Sequence, residues 1–310
     1  MATIRAQVGE VAPVVPARRV SAGLWSNAWY RLRRDPLTMG SAVIIIVMVV
    51  LSAAAPLIAQ YVFQTSFETQ NLLRAYAKPT LDPPAYILGA DEVGRSQIVR
   101  LLYGGQVSLF IGFVAAFMNL TIGVGLGLVA GYMRGRIDDV ITWFITTLNS
   151  IPTIFLLIII AALFSPGAVT LTIIIGLLFW TGVTNFVRGQ TFALREREFI
   201  TAARTVGASS VRIMMRHILP NVLPLIFVLL AIDIGTIILA ESALSYLGLG
   251  VMPPTPSWGN MLSNAAAYFV RAWWLVVSPG FMIFLTVLCL YLIGDGLRDA
   301  LDPRLRGTET

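Results

Sequence analysis

Lysine, histidine, cysteine and charge in general are scarce in this 310-residue sequence, and each scarcity removes a class of function. Among 22 basic residues only Lys78 is a lysine. A phosphate-cradling P-loop needs G-x-x-x-x-G-K-[ST], whereas Lys78 lies in Y-A-K-P-T, so the chain has no such loop of its own. Any ATP-driven work would need ATP and Mg2+ held by a partner. The single cysteine, Cys289, lies in an apolar run and excludes an intramolecular disulfide and a thiolate zinc cage. The single histidine, His217, and the lack of H-E-x-x-H exclude a histidine-rich metal site, so neither metal nor cofactor is expected in this chain. Charged residues make up 12% of the sequence, against about a quarter in soluble domains. Lipid is therefore the expected solvent; a water-soluble enzyme, a disordered chain and a secreted disulfide scaffold are excluded.

Apolar residues take the place of charge, at 57% of the sequence and a mean hydropathy of +0.79. Six apolar runs reach the roughly 20 residues that a bilayer crossing needs. They cover residues 39–61, 107–132, 141–164, 169–187, 222–240 and 274–293. The expected fold is an all-α membrane protein with six transmembrane helices. Only Ser165-Pro166-Gly167 separates the third and fourth runs, which read as a helical hairpin. The first run is too long for a cleaved signal peptide and no small-residue cleavage pattern follows it, so the N-terminus is expected to be retained.

Basic residues orient the spans, because cytoplasmic flanks collect them. With both termini inside, 17 of the 22 fall on the cytoplasmic face and 5 on the outer face. The pI near 9.8 follows from this asymmetry, and nucleic acid is not an expected partner. Four regions result: a cytoplasmic tail, 1–38; the first span and outer loop, 39–105; a transmembrane core, 106–297; and a cytoplasmic tail, 298–310. In the first tail Leu24, Trp25, Ala28, Trp29 and Leu32 share a helical face beside Arg31, Arg33 and Arg34. That pattern suits a short helix on the inner leaflet, ended by Asp35-Pro36; a plain positive flank is the alternative.

The longest inner loop, 188–221, is not featureless. Phe199, Ala202, Ala203 and Val206 recur at helical spacing, Gly207 suits a left-handed helix end, and Ser209 or Ser210 can cap a second helix, 211–219, that Pro220 helps to terminate. Two short helices around a glycine corner form either an exposed docking knob or an elbow folded on its own bundle.

Glu198 to Asn221 reads E-F-I-T-A-A-R-T-V-G-A-S-S-V-R-I-M-M-R-H-I-L-P-N. This stretch resembles the EAA loop of binding-protein-dependent ABC importer permeases, whose pattern is E-A-A, three residues, G, nine residues, I-x-L-P. Ala202, Ala203, Gly207, Leu219 and Pro220 match; Thr201 stands where the pattern has glutamate and His217 where it has isoleucine. L-G-A-D-E-V-G-R-S from Leu88, S-Y-L-G-L-G-V-M-P-P-T-P-S-W-G-N-M-L from Ser245 and G-D-G-L-R-D-A-L-D-P-R-L-R from Gly294 resemble one branch of that family, the C-type subunit of dipeptide, oligopeptide and nickel importers. The resemblance implies a MetI-like permease fold in a bacterial-type inner membrane. It implies a homologous second permease, two ATP-binding subunits that carry ATP and Mg2+, and an extracytoplasmic substrate-binding protein. It implies that Glu198, Phe199, Thr201, Ala202, Ala203, Val206, Gly207 and Ala208 form the ATPase-docking coupling loop, where a charge placed by Ala203→Asp is expected to uncouple hydrolysis from transport. Peptides are the implied cargo; nickel chelates, glutathione and oligosaccharides travel through similar permeases.

Other residues admit two readings each. Gly123, Gly127 and Gly131 repeat every four residues, with Gly125 between, and suit close helix packing either within this chain or at a subunit interface. Asp233 and Glu241 are acidic groups in the fifth span that either line a pathway or gate or hydrogen-bond another helix. Asn119, Thr146, Asn149 and Ser150 allow the same pair of readings. Pro254, Pro256 and Trp258 lie in an outer segment, 247–260, that either receives the binding protein or simply connects spans. An intramembrane protease is disfavoured because G-x-G-D and G-x-S-x-G are both missing. A proton-coupled carrier remains the rival, with Asp233 and Glu241 as its titrating groups.

Overall fold

The computed structural model of the protein describes residues 24–164 and 167–301. Apart from one isolated bridge between Ala90 and Ser96, the described residues form helices and connecting segments. In chain order the helices are α1 Leu24–Arg34, α2 Pro36–Ala53, α3 Ala55–Ile58, α4 Gln97–Met133, α5 Gly135–Asn149, α6 Thr153–Leu163, α7 Ala168–Leu178, α8 Trp180–Arg195, α9 Glu198–Thr205, α10 Ser210–Ile213, α11 Leu219–Tyr246, α12 Ala265–Arg271 and α13 Trp274–Leu301. Five stretches are long and apolar enough to cross a bilayer, and six if α5 and α6 count as one. The expected hairpin turn at Ser165-Pro166, the first 23 residues and the C-terminal tail from 302 lie outside the described residues.

Three expected elements differ from the observed ones, each at a proline. The third run is not one straight span: α5 and α6 meet at 79°. Pro152 follows the break, and a proline disfavours helical backbone in the residue before it. The first run starts earlier, at Pro36, and breaks before Pro56, whose missing N–H leaves the helix ladder incomplete. Conversely, Pro220 ends nothing. A π-turn at Met214–Ile218 connects α10 to α11, and the helical path runs from Ser210 to Tyr246. The wider turn takes up the ladder position that the proline cannot fill.

Asp35 starts the first span. Its carboxylate accepts from the backbone N–H groups of Leu37 and Thr38 at 3.1 and 3.3 Å, and from the Thr38 hydroxyl. The Thr38 hydroxyl in particular holds the Asp35 carboxyl below its ordinary range. The cap's contribution is therefore present at neutral pH and lost as pH falls through that lowered value. Asp35→Ala is expected to cost about 1 kcal/mol, read as a lower midpoint of thermal unfolding at pH 7 in detergent. The difference from wild type should shrink on acidification.

Side-chain contacts give the direction of every long helix. On α4, Gly123, Gly127 and Gly131 face Val183, Val187 and Thr191 of α8 in the same order, so the two helices run parallel. Ser108 and Asn119 of α4 bond Glu241 and Asp233 of α11 in reverse order, so that pair is antiparallel. Thr38 of α2 meets Gly296 of α13, and Met48 meets Thr286, again antiparallel. The start of α2, the ends of α4, α8 and α13 and the start of α11 therefore share one end of the bundle. α1 packs on α13 at that end, with Ala28 buried and Arg33 and Arg34 stacked over the rings of Trp29 and Tyr30.

The coupling-type knob and the polar seams of the bundle

α9 lies at the end where α4 and α8 finish. Ile200 and Ala203 turn inward and join Leu128, Tyr132, Val187, Ile213 and Ile218 in one apolar cluster. Gly207 ends the helix with φ +81°, a conformation glycine adopts without cost. The N–H of Gly207 donates to the Arg204 carbonyl at 2.9 Å, and that of Ala208 to the Ala203 carbonyl at 3.0 Å. These two bonds are the Schellman pattern that satisfies the last free carbonyls of a helix. Ser209, the first of the two expected caps, then accepts from the Arg212 N–H at 3.4 Å.

The knob thus has two faces. Glu198, Phe199, Thr201, Ala202, Val206 and Gly207 point away from the bundle, with Phe199 45% and Val206 84% exposed. Val211 and Met215 extend this apolar surface. Ala208 is half-buried, and Ala203 is buried, which corrects its expected place on the outer face. Residues three apart share a helical face, so Ala203 follows the buried Ile200 inward while Ala202 follows the exposed Phe199 outward. Ile200, which sequence reasoning passed over, is the fully buried anchor; its place three residues before Ala203 was the available signal.

Arginines clamp this end. Arg188 donates to Asp138 through Nε at 2.5 Å and Nη2 at 2.8 Å, joining α8 to α5. Arg134 pairs with Glu196 at 2.6 Å, and Arg204 donates to the Tyr132 hydroxyl at 3.4 Å. Arg195 and Arg204 both lie over the Tyr132 ring. These contacts set the base of α9 against the ends of the spans.

The acidic residues of α11 face α4. Glu241 is fully buried and accepts from the hydroxyls of Ser245 at 2.7 Å, Ser108 at 3.1 Å and Ser242 at 3.4 Å. Asp233 is half-buried and accepts from the Asn119 amide at 3.1 Å. Of the two readings, helix-to-helix bonding describes Glu241, which has no exposed surface from which to line a pathway. Asn149 likewise accepts from Thr181 of α8 at 3.1 Å, while Thr146 and Ser150 bond to carbonyls of their own helix.

The segment after α11 is anchored at the opposite end. Trp258 is 1% exposed; its Nε1–H donates to the Leu101 carbonyl at 3.0 Å and its backbone N–H to Ser108 at 3.1 Å. Pro256 is also buried, whereas Pro254 is exposed. The expected outward role of Trp258 and Pro256 is therefore corrected. Indole burial against Gly104 and Gly105, where no side chain intervenes, outweighs the loop's polar composition.

Two family models match this architecture: the N-terminal TM domain of oligopeptide transport permease C over residues 23–84, and the binding-protein-dependent transport system inner membrane component over residues 123–307. The oligopeptide transport system permease protein OppC of Haemophilus influenzae is 37% identical over 91% of this chain and 89% of its own length. The dipeptide transport system permease protein DppC of Bacillus subtilis is 35% identical over 93% and 88%. The glutathione transport system permease protein GsiD of Escherichia coli is 40% identical over 91% of each. A chain from inward-facing structures of the MetNI methionine ABC transporter shares the fold, with a TM-score of 0.55, 19% identity, and coverage of 66% of this chain and 96% of that one. The chain belongs to the family of binding-protein-dependent transport system inner membrane components and is a multi-pass ABC importer permease.

Proposed function

We propose that this permease takes up di- or oligopeptides as one half of a translocation path, with a homologous second permease as the other half. The similarity to dipeptide and oligopeptide permeases over more than nine-tenths of the chain supports this cargo. Glutathione, itself a small peptide, is the second reading, supported by the 40% identity to GsiD. Two partner ATPases bind ATP and Mg2+, since the chain has no lysine in a P-loop context. An extracytoplasmic binding protein delivers the solute. The knob end faces the cytoplasm with both termini, in keeping with the 17-to-5 division of basic residues.

The observation that carries the mechanism is the two-faced knob, with Ile200 and Ala203 fixed in the bundle and Phe199 and Val206 exposed. An ATPase docked on the exposed face moves α9, and the buried face transmits the movement to α4, α8 and α11. Docking couples hydrolysis to transport only if its affinity differs between inward- and outward-facing states. The hydrogen-bonded setting of Glu241 and Asp233 on α4 supports a packing role for both and counts against the proton-coupled carrier. Affinity purification from the native membrane, with mass spectrometry of bound proteins and small molecules, tests the reading. Two ATPases, a second permease and a peptide-loaded binding protein are expected. Recovery of the chain alone under gentle extraction would overturn it.

A further inference from the structure

A small polar cavity lies at the end of the bundle opposite the knob, where α4 begins. α4 is 37 residues long, about 55 Å at 1.5 Å per residue. Asp91, Glu92, Arg95, Arg100, Asn260 and Tyr268 line it. Its volume is about 40 Å³, where one water needs roughly 10–15 Å³. A carboxylate head or two to three waters would fit.

Charge is unevenly satisfied there. Asp91 accepts from Arg95 Nε at 2.6 Å and from the backbone N–H groups of Arg95 and Val93 at 2.9 and 3.1 Å, and lies 3.5 Å from Arg100 Nε. One carboxylate thus serves two guanidinium groups. Arg100 is only 5% exposed, yet its Nη1 has no hydrogen-bond partner. A buried guanidinium donor left unpaired is costly, so a missing acceptor is expected. The second balancing charge is Glu92, whose Oε1 meets Arg95 Nη2 at 3.3 Å while its side chain stays 39% exposed. Glu92 thus sits at the rim, between Arg95 and the Tyr268 hydroxyl, with part of its side chain open to water.

We propose that this cavity is a carboxylate-binding pocket, in which Arg100 Nη1 donates to an incoming carboxylate that displaces Glu92 from Arg95. The direction of approach, from outside the cell, rests on the importer reading above. The carboxylate comes either from the solute's own terminus or from an acidic side chain of the docked binding protein. The chemistry of the pocket is the same for both.

The purified transporter, with both permeases and its ATPases in lipid nanodiscs, is titrated with 13C-acetate and binding is read by NMR saturation transfer. Glu92→Gln removes the competing carboxylate and is expected to tighten acetate binding about tenfold, while Arg100→Gln is expected to abolish it, as suits a charge-assisted bond. Should Arg100→Gln fail to fold, Glu92→Gln at the exposed rim still carries the test, because misfolding cannot produce tighter binding. No saturable acetate binding, or equal binding by wild type and Glu92→Gln, would overturn the pocket. Two further measurements identify the source. A lower KM in Glu92→Gln for dialanine but not for its C-terminal amide indicates the solute. Tighter docking of the unloaded binding protein indicates its side chain. Loss of ATP-dependent uptake by the wild type itself would refute the importer reading while leaving the acetate result to stand.

Discussion

Gly127→Leu is expected to leave little folded permease, whereas Gly125→Leu, two residues away, is expected to be tolerated within the chain. A Cβ built on Gly127 lies 2.7 Å from Val187 Cβ and 2.8 Å from the Thr184 carbonyl oxygen. The nearest carbonyl belongs to helix backbone, so it cannot rotate away, and α4 and α8 would have to separate. Gly123 and Gly131 are equally close to α8, so the separation would open the whole seam. Overpacking at a single core site costs about 1–3 kcal/mol; forcing two helices apart should exceed about 3 kcal/mol, a large part of a stability of roughly 5–15 kcal/mol. Gly125 has no atom within 4 Å of its added Cβ. The monodisperse fraction after detergent extraction, and its thermal midpoint, measure the difference. Equal behaviour of the two variants would show that α4 and α8 do not meet through this stripe.

Val206→Asp is expected to keep the bundle folded and to reduce ATP-driven uptake more than tenfold. Val206 is 84% exposed, so its replacement removes almost no contact inside the chain. In a docked complex the new carboxylate would be buried without a partner, at a cost of several kcal/mol, and about 1.4 kcal/mol already corresponds to tenfold in affinity. Hydrolysis by the ATPases should then continue without transport. Ala203→Asp tests something else. Its side chain would enter the cluster of Ile200, Tyr132 and Ile218, so loss of folded protein is expected rather than uncoupling. Proteoliposome uptake alongside phosphate release separates the two effects. Normal uptake by Val206→Asp would remove α9 from the docking surface.

Much of the membrane architecture was legible in the chain because lipid imposes strong, local rules. A run of apolar residues must be helical where backbone groups have no water to bond, so the order of the apolar helices follows from composition, while the 79° break in the third run does not. The end of α9 was equally legible: Gly207 and Ser209 act through backbone conformation and a bond three residues away. Glycines every fourth residue announced a close helix contact for a similar local reason, since they fall on one face whatever that face meets.

The sequence by itself therefore determined the helical class, most of the apolar spans and the glycine-ended helix of the 188–221 loop. Tertiary structure decided which face of each element is used. That Ala203 points inward while Ala202 points outward depends on Ile200 and Ala203 joining the apolar cluster of Leu128 and Tyr132 on α4, residues far apart in sequence. That Trp258 is buried rather than displayed depends on two glycines of α4 leaving room for its ring. That the helical path continues through Pro220 and breaks at Pro152 is a difference in local backbone, a π-turn before the first and a 79° bend at the second. For Ala203 and Trp258 the choice is made by packing between segments distant in the chain, whose energy is not written in either segment alone.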